Sequence, residues 1–469
     1  MPHVFVSAAH KSSGKTTVSI GLCAALKNNG HIVQPFKKGP DYIDPMWLAS
    51  ASDRDCYNLD FYTMQHEEIR QTFDRYNQDA DISLIEGNKG LYDGLDLDGS
   101  NSNAALASML KAPVVLVLDA RGMTRGIAPL ILGYQAFDEN INIAGVILNQ
   151  LGGSRHEGKL RRVIEHYTDA AVIGAIHSHP EMAIVERHLG LLPSNESDSA
   201  ANYISNISKH VAASVDLDKV VSIANSAPAT EKMSFPTQQK NCNLRIAVAQ
   251  DAAFGFYYAS DLNAMRDAGV DIVKFDTLHD AALPENIDGL FIGGGFPESS
   301  MQQLENNKSM RESIRTAIEN GLPTYAECGG MMYLSQSLTW NGKKKEMVGI
   351  IPGETLMHKK PQGRGYVKIE ESNEFIWPKL EYNSSAEHQA HEFHYSSLDN
   401  FKPSNEFRTA YTMKRGHGIN GEYDGIMYKN MLACYTHQRN VDSNPWVERF
   451  IQFILINKSS ENLTGVELC

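Results

Sequence analysis

Two periodicities alternate along the first half of the chain. Short, almost purely apolar runs ("HVFVSA", "HIVQPF", "DISLIE", "PVVLVLDA" and "INIAGVILN") read as strands covered on both faces. A half-exposed strand would instead alternate apolar and polar residues. Between the runs lie stretches of helical period. From Thr16 to Asn28, Val18, Leu22 and Leu26 share one face, and Gly30 supplies a stop. Strands alternating with helices predict crossover units and a parallel sheet. The pattern fades after "VDLDKVVSIAN", and residues 226–243, rich in Pro, Ser, Thr and Gln, read as a linker. A second α/β pattern opens with "LRIAVAQ" and continues through "DIVKF", "DGLFIGGG" and "PTYAE". The expected organisation is one domain over 1–225, a linker over 226–243, a second domain over 244–457 and a loosely held tail over 458–469.

Length agrees with two domains, since 469 residues exceed one ordinary core. With 42% hydrophobic and 21% charged residues, the composition is that of a soluble globular protein. No apolar run approaches the roughly 20 residues that span a bilayer. The first apolar stretch breaks at once into Ser, His, Lys and Gly, unlike a secretory signal. A cytoplasmic protein without a membrane partner is expected. The formal charge of −13 argues against a nucleic-acid partner. Six cysteines (Cys23, Cys56, Cys242, Cys328, Cys434 and Cys469) are scattered without CxxC spacing, which is neither a disulfide framework nor a zinc site.

Three loops carry the chemistry of the first domain. "SAAHKSSGKTT" lies between a strand and a helix, where backbone N–H groups and the helix N-terminus cradle phosphate. Ser12, Ser13, Gly14, Lys15, Thr16 and Thr17 supply that loop, Lys15 for the phosphates and Thr16 for Mg²⁺. Ala9 stands where the general motif has its first glycine, which matters only if that position needs a positive φ. Mg²⁺ asks for carboxylate oxygens. "PFKKGPDYIDP" offers Lys37, Lys38, Asp41 and Asp44 after a strand, and "LIEGNKGLYDG" offers Glu86 and Asp93 after another. Ligands of a parallel sheet sit beyond the carboxyl ends of its strands, so the three loops are expected to converge on one edge.

In the second domain, "PTYAECGGMMYL" runs an apolar strand straight into Cys328, two glycines and a helical pattern. This is the shape of a nucleophile elbow, and a thiol at a helix N-terminus is biased toward thiolate. A base is offered by His437 in "LACYTHQRN", or by His391 and His394 in "AHEFHYSS". Gly293, Gly294 and Gly295 in "FIGGGFPE" can present N–H groups to an oxyanion. Thiol, base and oxyanion donors together predict acyl transfer through a thioester.

These segments carry a likeness over roughly residues 3 to 455. With "FKKGPDYIDP", "ERHLGLLP", "AVAQDAAFGFYY", "LFIGGGFPE", "YAECGGMMYL" and "GIMYKNMLACYTH", the chain resembles the cobyrinate a,c-diamide synthase family, a branch of the cobyrinic and cobyric acid amidotransferases. The resemblance implies a dethiobiotin-synthetase-like P-loop ATPase domain fused to a class I glutamine amidotransferase domain of flavodoxin-like fold. It also implies a soluble ligase for which a homodimer is left open.

By the same likeness, Cys328 hydrolyses glutamine with His437 as base and Gly294 or Gly295 at the oxyanion. ATP sits on Ser12 to Thr17 with Lys37, and Mg²⁺ on Thr16, Asp41 and Glu86. Tyr42, Asp44 and Asp93 face the tetrapyrrole. Ammonia attacks an acyl phosphate made from a substrate acetate. Arg439 stands where many class I enzymes have a Glu, so a Cys–His dyad is expected. Asn88-Lys89 and Ser100-Asn101 depart from the family's wording near the acceptor, which leaves cobyrinate, a nickel sirohydrochlorin and sirohaem open as corrinoid or other tetrapyrrole substrates. The contrasting reading is a nucleotide-switched binding protein of the partition-ATPase kind. Those proteins usually carry a lysine five residues before the Walker lysine, and here that place holds His10, with Lys11 one residue late.

Overall fold

The structure is a computed structural model, and it describes residues 1–184, 186–187, 190–196, 199–228 and 242–464. Most of the expected linker, 229–241, lies outside the described residues, as do the last five of the expected tail. The described chain forms two compact units, residues 62–64 belonging with the second.

The first unit is built on seven strands: β1 (His3–Ala8), β2 (Val33–Lys38), β3 (Tyr57–Leu59), β4 (Ile82–Gly90), β5 (Val114–Asp119), β6 (Ile143–Leu151) and β7 (Val172–His177). Their order is β3-β2-β4-β1-β5-β6-β7, and every pairing is parallel. All six residues of β1 are buried, which is why its sequence shows no alternation. Helix α1 (Lys15–Asn28) starts at Gly14 and buries Val18, Leu22 and Leu26 in the core. That core is shared with Ile207 and Val211 of α3 (Ala200–Ser214), while α2 (Ile43–Ser52) adds Trp47 and Leu48. Register places the chemistry. Glu86 of β4 stands opposite Val6 of β1 on one side and Lys37 of β2 on the other. One row across three strands therefore delivers the lysine and the carboxylate to the loop that follows β1.

The second unit has a nine-stranded mixed sheet. Its strands are β8 (Leu244–Ala249), β9 (Val270–Phe275), β10 (Gly289–Ile292), β11 (Thr324–Glu327), β12 (Gly363–Glu371), β13 (Glu387–His394), β14 (Arg408–Arg415), β15 (Tyr423–Tyr428) and β16 (Met431–Cys434). The order is β9-β8-β10-β11-β16-β15-β14-β12-β13. The first five strands pair in parallel, and the last four extend the sheet in antiparallel fashion. Helix α4 (Gly329–Leu334) leaves β11 directly, and α5 (Trp446–Thr464) closes the described chain, running past the boundary expected at residue 457. No helix of the described residues is long and apolar enough to cross a membrane.

Candidate active sites

The loop after β1 is held open by local backbone geometry. Ser12 (φ 67°) and Gly14 (φ 78°) both take positive φ just before α1 begins, the backbone pattern of anion-binding loops. Ala9 stays out of that region, so the glycine it replaces is not needed; its carbonyl accepts from Tyr134 Oη instead. Ser13 Oγ donates to the His10 carbonyl at 2.8 Å, and the Ser13 carbonyl accepts from Asn149 Nδ2 at 2.9 Å. A Cβ on Gly14 would lie 2.3 Å from that same Asn149 nitrogen. Asn149, near the end of β6, supports the loop through its bond to the Ser13 carbonyl, and motif reading passed over it. A polar residue ending an apolar strand was its one signal.

Lysines and carboxylates interlock beside this loop. Glu86 Oε1 accepts from Lys15 Nζ at 2.5 Å, Thr16 Oγ1 at 2.7 Å and Lys37 Nζ at 3.1 Å. Asp44 Oδ2 accepts from Lys37 Nζ at 2.5 Å and Thr16 Oγ1 at 3.2 Å. Thus Asp44, read from sequence as facing the acceptor, sits with Thr16 and Glu86. Asp41 is placed differently: its Oδ1 accepts the backbone N–H of Ile43 and Asp44 at 2.9 and 3.1 Å, and its Oδ2 lies 3.9 Å from Lys37. Tyr42 is buried just ahead of α2, Asp93 Oδ2 accepts the Gly90 N–H at 3.0 Å, and Thr17 is half-buried in the first turn of α1.

Burial sets the charge balance here. It pulls Lys15 below the ordinary lysine value, with Lys37 adding to the fall against the pull of Glu86. Burial pulls Lys37 the same way, but Asp44, Glu86 and Asp41 outweigh it and hold the ammonium charged well above that value. Lys38, which donates to the Asn101 carbonyl at 2.7 Å, is pushed down to about 8 by burial, with Lys89 and Lys37 adding to the fall.

The second site is the turn between β11 and α4. Cys328 is buried with φ 46° and ψ −101°, a conformation strained for a residue with a Cβ. Its N–H donates to the Cys434 carbonyl at 2.7 Å, which ties the elbow to β16. His437 follows β16 by three residues. Burial lowers its basicity, but the neighbouring Cys328 and Glu327 outweigh that and push it up to about 10. The imidazole packs so closely on Gly294 that a Cβ there would lie 2.6 Å from His437 Cε1. Gly295 approaches the elbow too, its N lying 2.9 Å from where a Gly329 Cβ would be.

The three candidate bases separate cleanly. His391 and His437 exchange backbone hydrogen bonds of 3.2 and 2.7 Å, and burial followed by the His437 charge pushes His391 down to about 3, so it stays neutral. His394 stacks on Tyr435 with ring centroids 3.9 Å apart, and its Nδ1 meets the Ser396 carbonyl at 2.8 Å. Glu327, immediately before the nucleophile, was not singled out in the sequence. Its Oε2 lies 3.4 Å from His437 Nδ1, and both side chains are buried. Burial pushes the thiols of Cys23, Cys56 and Cys434 up, away from reactivity.

Comparison with known proteins places each unit in a domain family. Residues 245–444 match the CobB/CobQ-like glutamine amidotransferase domain family, and residues 3–186 match an AAA domain family. A protein of Magnetococcus marinus named cobyrinate a,c-diamide synthase is 43% identical, covering 97% of each chain. Proteins of the same name are 38% identical in Dehalococcoides mccartyi, over 97% of this chain and 98% of the relative, and 39% identical in Methanosarcina acetivorans, over 94% and 93%. With that identity sustained across both units, the chain belongs to the cobyrinate a,c-diamide synthase family.

Proposed function

We propose that the protein is a glutamine-hydrolysing carbon–nitrogen ligase that uses ATP to amidate the a and c acetate carboxylates of a tetrapyrrole, with cobyrinate as the acceptor. The observation that carries it is Cys328, a thiol held in a left-handed turn at a helix start with a strongly basic imidazole as its partner.

The chemistry follows from the two sites. With the proton held on His437, the Cys328 sulfur attacks the glutamine side-chain carbonyl, whose oxygen is held by backbone N–H groups around Gly294 and Gly295. His437 gives that proton to the amide nitrogen, ammonia leaves, and water hydrolyses the glutamyl thioester to glutamate and the Cys328 thiol. In the first unit the γ-phosphoryl group of ATP passes to a substrate carboxylate, because a free carboxylate is a poor electrophile and an acyl phosphate is a good one. Ammonia attacks that carbonyl and phosphate departs.

Ser12, Ser13, Gly14, Lys15, Thr16 and Thr17 hold the phosphates, with Lys37 balancing their charge. The oxygens of Thr16, Glu86 and Asp44 suit Mg²⁺, and the buried Glu86 Oε2 has no hydrogen-bond partner among the described residues. Asp41 lies at the rim of that group. There the ion would supply positive charge against the phosphates. Tyr42 and Asp93 are assigned to the acceptor side, with Lys38. The cytoplasm is the assigned compartment, because Cys328 works only as a free thiol and the described cysteines are unpaired.

Cys328→Ser should abolish glutamine hydrolysis and glutamine-dependent amidation while ammonia-dependent amidation survives. Unchanged glutamine hydrolysis in that variant would overturn the reading. Mass spectrometry of products from cobyrinate, nickel sirohydrochlorin and sirohaem, incubated in parallel with ATP, Mg²⁺ and glutamine, identifies the acceptor by its amide mass shifts.

A further inference from the structure

Two residues beyond His437 stands Arg439, which has no acceptor atom. Its buried guanidinium packs over the Tyr258 ring, 5.1 Å from the centroid. The sheet brings an acid from the opposite direction. β11 and β16 run in parallel with Glu327 opposite Cys434, so the last residue of β11 lies next to the segment that carries His437.

The Glu327 carboxylate is held as a preorganised group would be. Oε1 accepts from Tyr325 Oη at 2.5 Å and from the Gln438 backbone N–H at 2.9 Å. Tyr325 Oη in turn accepts from Gln438 Nε2 at 3.0 Å, and Asn444 Nδ2 donates to Gln438 Oε1 at 3.0 Å. With Oε1 committed, Oε2 is left facing His437 Nδ1 at 3.4 Å, an ion-pair distance between two buried side chains. Among the described residues, the other titratable groups that act on or are acted on by His437 are Cys328 at the elbow and neutral His391 on β13. Glu327 is the one acid of this set.

We propose that Glu327 is a positioning residue of the glutaminase site: its carboxylate holds the Nδ1–H of His437, so that Nε2 faces Cys328, and it stabilises the imidazolium formed when the thiol ionises. In that step the S–H bond breaks, its electron pair stays on sulfur and its proton goes to Nε2. The Nδ1 proton stays on the ring.

The inference rests on Cys328 and His437 as nucleophile and base, and the experiment keeps the two apart. The pH dependence of Cys328 alkylation by iodoacetamide is measured alongside glutaminase kcat and KM for the full-length protein, Glu327→Gln and Glu327→Asp. Ammonia-dependent amidation serves as the folding control. Glu327→Gln keeps an acceptor for the Gln438 N–H and loses only charge. Its alkylation limb should move up by about one pH unit or more, and kcat should fall about 10²-fold with KM little changed. Glu327→Asp keeps the charge and should fall between Glu327→Gln and the unmodified protein. A limb unshifted in both variants, or lower kcat without any shift, overturns the proposal. Should Glu327→Gln fail to fold, Glu327→Asp decides alone: its limb is displaced upward or the proposal fails. Alkylated protein that still hydrolyses glutamine would sink the nucleophile assignment itself, whereas dead alkylated protein with unshifted variants sinks only the role of Glu327.

Discussion

Lys37 Nζ lies 2.5 Å from Asp44 Oδ2, a contact between the end of β2 and the first turn of α2 that closes the loop between them. Asp44 also meets Thr16, so its carboxylate serves both the lysine and the hydroxyl of the phosphate loop. Asp44→Asn keeps the shape and removes the charge. Ammonia- and ATP-dependent amidation should fall about 10²-fold, the usual effect of losing one preorganised electrostatic group. Glutamine hydrolysis should be unchanged. Equal losses in both assays would place Asp44 outside the phosphoryl-transfer site.

Gly14 is tested through backbone geometry. A Cβ at φ 78° carries a left-handed penalty of about 1–2 kcal/mol. It would also press on Asn149 Nδ2, at 2.3 Å. Gly14→Ala should weaken ATP binding tenfold or more by calorimetry, since 1.4 kcal/mol is a factor of ten. Wild-type affinity in this variant would show that the loop does not need its left-handed turn.

Gly294 is the corresponding position in the second unit. A methyl group there would meet His437 Cε1 at 2.6 Å and push the imidazole off its present place. Gly294→Ala should cut glutaminase kcat by about 10²-fold and leave ammonia-dependent amidation intact. The same loss in both reactions would point to a general folding defect.

The raised basicity of His437 has a signed consequence for stability. A histidine protonating near 10 when folded and near 6.5 when unfolded adds its full stabilisation below about pH 6.5 and loses it as pH rises to about 10. The melting-temperature gap between the unmodified protein and His437→Asn should therefore be widest near pH 6 and shrink steadily toward pH 10. A gap that grows with pH would mean the imidazole is neutral in the folded protein.

How much of this was legible in the chain depends on what covers each strand. β1 and β11 are buried along their whole length, so their apolar runs stand out in the sequence. β13 was harder to read. Its inward positions are His388, Ala390, Glu392 and His394, so the buried face is mostly polar and no apolar alternation marks it. β3, only three residues long, left no periodic trace. The phosphate loop and the Cys328 elbow were visible because each is a local turn written in consecutive residues.

The sequence alone marked the local candidates: a loop at Ser12 to Thr17 of phosphate-binding pattern, a thiol at the start of a helix, and carboxylates at strand ends and in the loops beyond them. Only the tertiary structure decided who partners whom. Sheet register sets Lys37 and Val6 on either side of Glu86, and it sets Glu327 beside the segment leading to His437. Local motifs fix their own backbone angles, but strand pairing joins residues far apart in the chain. One residue of slip would turn Glu86 and Glu327 to the opposite face of their sheets.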